Sequence, residues 1–190
     1  MRVFIAIELS ERTQGFLNRL QEQLKNSQAE VTWVKPQNIH LTLQFLGEID
    51  DKKVSQVIGL LDNVAADKNA FYIRLSGIGA FPKISFPRII WVGIDKGDIE
   101  TKQIAKDLEE GAAKIGIFKE NKPFSSHITI GRVRSALNRN ALVKNLDNLV
   151  NNFLKDAPES PVNKITLFKS TLTPKGPIYE VIKEAYLKTN

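Results

Sequence analysis

The apolar positions of this chain alternate between two rhythms. Val3 to Leu9 is a nearly unbroken run of β-branched, aromatic and aliphatic residues, which predicts a buried strand closed by Ser10. From Ser10 to Asn26 the apolar residues Phe16, Leu17, Leu20 and Leu24 recur at helical spacing. Val31 to Val34 predicts a short strand interrupted by Lys35–Pro36, and Ile39 to Leu46 a second one ending at Gly47. Asp50–Asp51 then caps a helix from Lys52 to about Ala65, with Val54, Val57, Ile58 and Leu61 on one face. Phe71 to Leu75 reads as a strand and Gly77 to Pro87 as a Gly/Pro-punctuated loop.

At Arg88 the cycle restarts. Ile89 to Asp95 mirrors Arg2 to Glu8, and Thr101 to Lys114 takes the place of the first helix. Asn138 to Phe153 takes the place of the second. Strands over Lys164–Lys169 and Tyr179–Leu187, joined by a Thr173–Pro177 turn, close the chain. Both tryptophans, Trp33 and Trp91, are assigned to the core. Corresponding positions are separated by 87 throughout: Phe4 and Trp91, Lys35 and Lys122, His40 and His127. The pattern predicts an internal duplication over 1–87 and 88–190 within a single α+β, two-lobed unit: two antiparallel sheets facing a central cleft, helices outside.

The repeat carries the chemistry. His40–Leu41–Thr42–Leu43 returns as His127–Ile128–Thr129–Ile130, and these are the 2 histidines of the 190-residue chain. Alternation along a strand puts His40 with Thr42, and His127 with Thr129, on the polar faces, with the aliphatic partners turned inward. Two facing imidazoles suit acid–base cleavage of a phosphate ester, one neutral to activate water and one protonated to supply the departing oxygen. Threonine hydroxyls two residues along can donate to non-bridging oxygens. This arrangement requires no metal or other cofactor, and spacing alone does not say which ester is cut.

Composition narrows the setting. Apolar content of 42% and charged content of 25% are ordinary for a folded domain. There is no cysteine, so thiol nucleophiles, disulfides and thiolate zinc sites are excluded. No apolar run approaches the length of a membrane span, and a cytoplasmic monomer is expected. The net charge is +6, and it is uneven: 12 Lys/Arg against 6 Asp/Glu follow residue 114, whereas 15 of each precede it. That excess favours an anionic partner such as nucleic acid.

With these motifs in hand, the chain resembles the two-histidine phosphoesterases of the LigT-like branch, the RNA 2′,3′-cyclic phosphodiesterases, also described as 2′-5′ RNA ligases. The likeness covers essentially the whole chain. It includes Arg2–Ile7, the block from His40 to Gly47, Pro87–Gly93, His127–Arg132 and the late Ser170, Leu172, Gly176, Pro177 and Tyr179. The resemblance implies that His40 is the proton donor to the leaving 3′ oxygen and His127 the proton acceptor. It also implies that Thr42, Thr129 and Arg132 bind phosphate, Phe45 stacks on the terminal base, and the partner is an RNA or nucleotide with a 2′,3′-cyclic phosphate end. The resemblance further implies a reversible, ATP-independent 2′-5′ joining of RNA ends.

Phe45 and Arg132 occupy equivalent places in the two copies, an aromatic against a cation. Each has a plainer reading: Phe45 as core, and Arg132 as a surface charge, because it lies an odd step from His127 and reaches the histidine face only if Gly131 bends the strand. Two rival functions stay open: an RNA-binding module with vestigial catalysis, and a relative acting on 2′-5′ oligonucleotides or ADP-ribose cyclic phosphates.

Overall fold

A computed structural model describes residues 1–117, 123–150, 152–174 and 176–189. Lys122, in the Lys–Pro approach to His127, and Lys175, in the late turn, lie outside the described residues. The chain runs β1 (Arg2–Glu8), α1 (Glu11–Lys25), β2 (Val31–Trp33), a 3₁₀ turn (Pro36–Asn38), β3 (His40–Glu48), α2 (Asp51–Ala66), β4 (Phe71–Ile73), β5 (Leu75–Lys83) and β6 (Phe86–Ile94). It continues through α3 (Asp98–Lys114), β7 (His127–Val133), α4 (Arg139–Val150), a second 3₁₀ turn (Phe153–Asp156), β8 (Ser160–Val162), β9 (Lys164–Thr173) and β10 (Gly176–Tyr186).

Local chemistry accounts for the helix starts. Ser10 Oγ accepts from the Thr13 amide at 3.2 Å, and Asp50 Oδ1 from the Lys53 amide at 2.8 Å. The faces of α1 and α2 that carry Phe16, Leu17, Leu20 and Leu24, and Val54, Val57 and Leu61, are buried. β1 is covered on both sides: Val3, Ile5 and Ile7 join the main core, while Phe4 and Ala6 form a second cluster with Phe168, against which Tyr179 packs.

Two four-stranded antiparallel sheets result, ordered β10–β9–β1–β3 and β2–β7–β6–β5, with a small β4–β8 pair beside them. Helices α2 and α3 pack on the first large sheet, α1 and α4 on the second. The run β9–β1–β3 corresponds to β5–β6–β7. Since β5 belongs to the first half of the sequence and β9 to the second, each sheet takes strands from both halves.

The stretch 77–87 is a hairpin and not a loop. Its punctuating residues are all accommodated within strands. Gly77, at φ +74, is the extra residue of a bulge between Ser76 and Ile78. Gly79 lies under the Trp91 ring, where an added Cβ would stand 2.3 Å from Cζ2. Pro82 and Pro87 oppose each other near the hairpin end.

The offset of 87 also fails at β6. His40 pairs with Glu8, but His127 pairs with Gly93; Thr42 pairs with Ala6, but Thr129 with Trp91. In space β6 therefore follows β1 by 85 residues, and Trp91 corresponds to Ala6 rather than Phe4. A slip of two leaves every side chain on its own face, so alternation in the sequence does not register it. Trp91 is thereby moved out of the predicted core: it is half-buried on the His/Thr face, beside Phe81. Trp33 is also half-buried, but packs against the main core. Among the described residues no helix is long and apolar enough to cross a membrane.

Candidate active site

Both histidines begin the strands that present them, and both are held alike. The Nδ1–H of His40 donates to the Asn38 carbonyl at 2.7 Å, and that of His127 to the Ser125 carbonyl at 2.8 Å. A carbonyl can only accept, so each ring carries a proton on Nδ1 and turns Nε2 outward as its exchangeable site. Asn38 and Ser125 are themselves 87 apart. On the first strand, Nε2 of His40 lies 3.0 Å from Thr42 Oγ1. Leu41, Leu43, Ile128 and Ile130 are buried on the opposite faces, as alternation predicts.

Aromatic rings brace both imidazoles. Phe4 lies 5.0 Å from the His40 ring centroid and Tyr179 meets it edge-on at 5.4 Å; Phe81 meets His127 edge-on at 5.2 Å. Burial holds His40 below the ordinary histidine value, opposed by its bond to the Asn38 carbonyl and by the nearby Glu8 carboxylate. Glu8 accepts from Thr166 Oγ1 at 2.8 Å and pairs with Lys164 at 3.1 Å. The residue opposite His127 is Gly93, so the two sites differ in charge as well as in burial.

Phe45 and Arg132 reach the polar faces by the same device. Leu43 is an extra residue between Thr42 and Gln44 in the pairing of β3 with β1, and Ile130 is its counterpart between Thr129 and Gly131 in β7. A bulge resets alternation, bringing residues an odd number of steps from the histidines onto their face. Gly131 is thus not what bends the strand. It lacks a side chain because Trp33 and Val31 occupy that space, both 2.9 Å from an added Cβ. Phe45 is 54% exposed, which removes the core reading, and lies 6.1 Å from Phe4. Arg132 is exposed and close enough to Tyr179 to draw its hydroxyl toward ionisation, although burial has the larger, opposite effect. Through Tyr179, a cation of the second sheet meets the histidine of the first.

A cleft of about 780 Å³ joins the copies: Thr42 and Phe45 of β3 line it together with His127 of β7. Among the described residues no three His, Cys, Asp or Glu side chains gather as a metal ion requires. Sequence reasoning missed Glu8 and gave Tyr179 no role. The former closes an apolar strand in step with His40, a signal readable only once register is known.

A family model described as LigT like Phosphoesterase matches the chain in two consecutive segments, residues 7–91 and 93–179. The chain belongs to this family. It is 35% identical over 189 residues to the RNA 2′,3′-cyclic phosphodiesterase of Aquifex aeolicus (strain VF5), covering 98% of this chain and 97% of that one. It is also 35% identical over 184 residues to the protein of the same name from Methanocaldococcus jannaschii, covering 97% and 99%. Among solved structures, TT0787 of Thermus thermophilus superposes with a TM-score of 0.81 at 27% identity, covering 98% of each chain. The apo form of E. coli LigT, at 24% identity, TM-score 0.74 and coverage of 98% and 96%, shares the fold.

Proposed function

We propose that this LigT-like phosphoesterase hydrolyses 2′,3′-cyclic phosphates at RNA ends to 2′-phosphates, as a cytoplasmic monomer. The observation that carries the reading is the matched presentation of the two imidazoles. Each is locked through Nδ1 to the carbonyl two residues before it and leaves Nε2 to exchange a proton. In the proposed reaction, His127 takes a proton from water as the water oxygen bonds to phosphorus. The bond from phosphorus to the 3′ oxygen breaks, and His40 gives that oxygen its proton. The same groups keep these roles when a 5′-hydroxyl attacks in place of water: His127 takes its proton, the bond to the 3′ oxygen breaks, and a 2′-5′ link forms without ATP.

The difference between the sites supports this division of labour. Glu8 beside His40 favours its cationic, proton-donating form, and no carboxylate stands opposite His127. Burial works against His40 in the empty site; the negative charge of a bound phosphate offsets it. In this reading Thr42 and Thr129 bind the non-bridging oxygens, Arg132 binds the phosphate as a fixed cation, and Phe45 stacks on the terminal base.

The test is product analysis with an oligonucleotide ending in a 2′,3′-cyclic phosphate, read by phosphorus NMR. A 2′-phosphate is expected. A 3′-phosphate would overturn the assignment of the donor, and turnover retained by His40→Ala or His127→Ala would sink the two-histidine reading.

A further inference from the structure

One buried polar side chain, away from the cleft wall, joins the two copies of the motif. Gln21 lies on the core face of α1, beside Leu20 and Leu24, and is 1% exposed. Its Nε2 donates to the Val34 carbonyl and to the Ile130 carbonyl, each at 2.8 Å. Both acceptors are carbonyl oxygens, so the end of the amide that meets them is the nitrogen, and both of its hydrogens are used. We propose that Gln21 is a positioning residue for the phosphate site: it clamps the strand that carries Thr129 and Arg132 to the turn that holds His40. The proposal rests on Arg132 binding the phosphate, as read above, and extends that reading to the helix behind it.

The two carbonyls are special points of the backbone. Ile130 is the extra residue of the β7 bulge, where pairing with β6 lapses, and that bulge is what turns Arg132 onto the histidine face. Val34 leads through Lys35 into the Pro36–Asn38 turn, whose Asn38 carbonyl holds His40 through Nδ1. The Val34 amide also donates to the Ile130 carbonyl, at 3.0 Å, so two donors hold that oxygen. Helix α1 itself packs on both the turn and β7. One helix side chain thereby fixes the bulge of the second copy against the support of the histidine in the first.

The duplication shows what the clamp is for. The buried residues Thr101, Ile104, Leu108 and Ala112 of α3 follow Thr13, Phe16, Leu20 and Leu24 of α1 at a constant 88. On that correspondence Gln21 matches Glu109, a half-buried residue of the cleft wall that has no amide hydrogens to give. Helix α3 packs on β3, the strand of Phe45, as α1 packs on β7, the strand of Arg132. The amide therefore stands behind the bulge that presents the cation and not behind the one that presents the aromatic. A ring stacked on a base tolerates small shifts, whereas a guanidinium paired with phosphate oxygens needs its direction held. An amide on a core face is costly to bury unless its hydrogens find acceptors, and here both acceptors belong to the frame of the site.

The experiment is a double-mutant cycle of Gln21→Met and Arg132→Ala, run well below the melting temperature of each variant. It reads kcat and KM for a nucleoside 2′,3′-cyclic phosphate and, by calorimetry, the Kd of inorganic phosphate, which needs no turnover. Methionine keeps the length of the side chain and removes the donor. In the natural background Gln21→Met should raise KM and the phosphate Kd about tenfold, as a displaced cation does, with the bell-shaped pH profile kept. In the Arg132→Ala background the same change should alter either by less than about twofold, because the residue it positions is gone. A glutamine that only supports the fold would instead lower kcat through the folded fraction, leave KM and Kd alone, and do so equally in both backgrounds. That result would overturn the proposal. Should Gln21→Met not fold, Gln21→Asn keeps an amide too short to span both carbonyls, and the same comparison decides. If Arg132→Ala alone leaves KM and Kd unchanged, the phosphate reading of Arg132 fails and the clamp with it. Phosphate binding that depends on Gln21 through Arg132, in a protein that turns over no cyclic phosphate, would keep the clamp and remove the phosphodiesterase reading.

Discussion

At the scale of single residues, the site is two imidazoles made alike in geometry and unlike in surroundings. Replacing either by asparagine should lower kcat/KM by about 10²–10⁴, the range for losing a positioned acid or base, with the circular dichroism spectrum unchanged. The pH profile should be bell-shaped, with both limbs belonging to the pair. His40 also makes a stability prediction. Its folded-state pKa is lowered by burial, so the unfolded chain takes up a proton first as pH falls. The stabilisation is therefore full above about 6.5 and lost as pH drops through the lower folded value. Between about pH 7.5 and pH 5, the melting temperature of the natural protein should fall further than that of His40→Gln; parallel curves would contradict the burial argument. The histidine and threonine positions were legible in the sequence because they are written twice. Glu8 and Tyr179 were not. Glu8 meets His40 through strand pairing and Tyr179 through ring contact across the sheet, both over long separations that no local pattern records.

At the scale of elements, a bulge matters more than a motif. Leu43 and Ile130 shift the phase of their strands and bring Phe45 and Arg132 round to the side of the histidines. Sequence alternation alone leaves these two residues facing inward, so their place beside the histidines is legible only once the bulges are seen. The strand beside Trp33 tolerates only a residue without a side chain at position 131. Gly131→Ala should therefore cost about 1–3 kcal/mol in urea unfolding by pressing on Trp33 and Val31. The cost should shrink in a Trp33→Leu background, since contacting residues couple. Helices were read almost to their ends, because Ser10 and Asp50 signal their own caps. The β5–β6 hairpin was misread for the converse reason: Gly77, Gly79, Pro82 and Pro87 look like breakers, and tertiary packing places each where a strand tolerates it.

At the scale of the molecule, the two sequence halves are not two independently packed bodies. β9 belongs beside β1 and β5 beside β6, and the helices cross in the same way. A fragment ending at Ile84 would lack β9 and β10, leaving β1 with one open edge and Phe4 without Phe168. It should remain unfolded alone by circular dichroism, and mixing with the fragment 85–190 should restore structure and turnover. A folded, isolated first fragment would show that the exchanged strands are dispensable. The duplication itself was visible in the sequence, but the partnership of strands was not. Periodicity reports which face a residue takes and is silent about its neighbour and about a slip of two.

The exchange of β5 and β9 has a consequence for handedness. A half-length chain with one His-x-Thr strand could assemble the same architecture as a strand-swapped homodimer, each copy lending its last strand to the other. Such a dimer would carry Phe45 or Arg132 twice, never one of each, and would accept a cyclic phosphate equally well in either direction. Joining the halves into one polypeptide frees the two positions to diverge. The substrate then has a single way round, and the choice between breaking the bond to the 2′ or to the 3′ oxygen becomes a property of the protein.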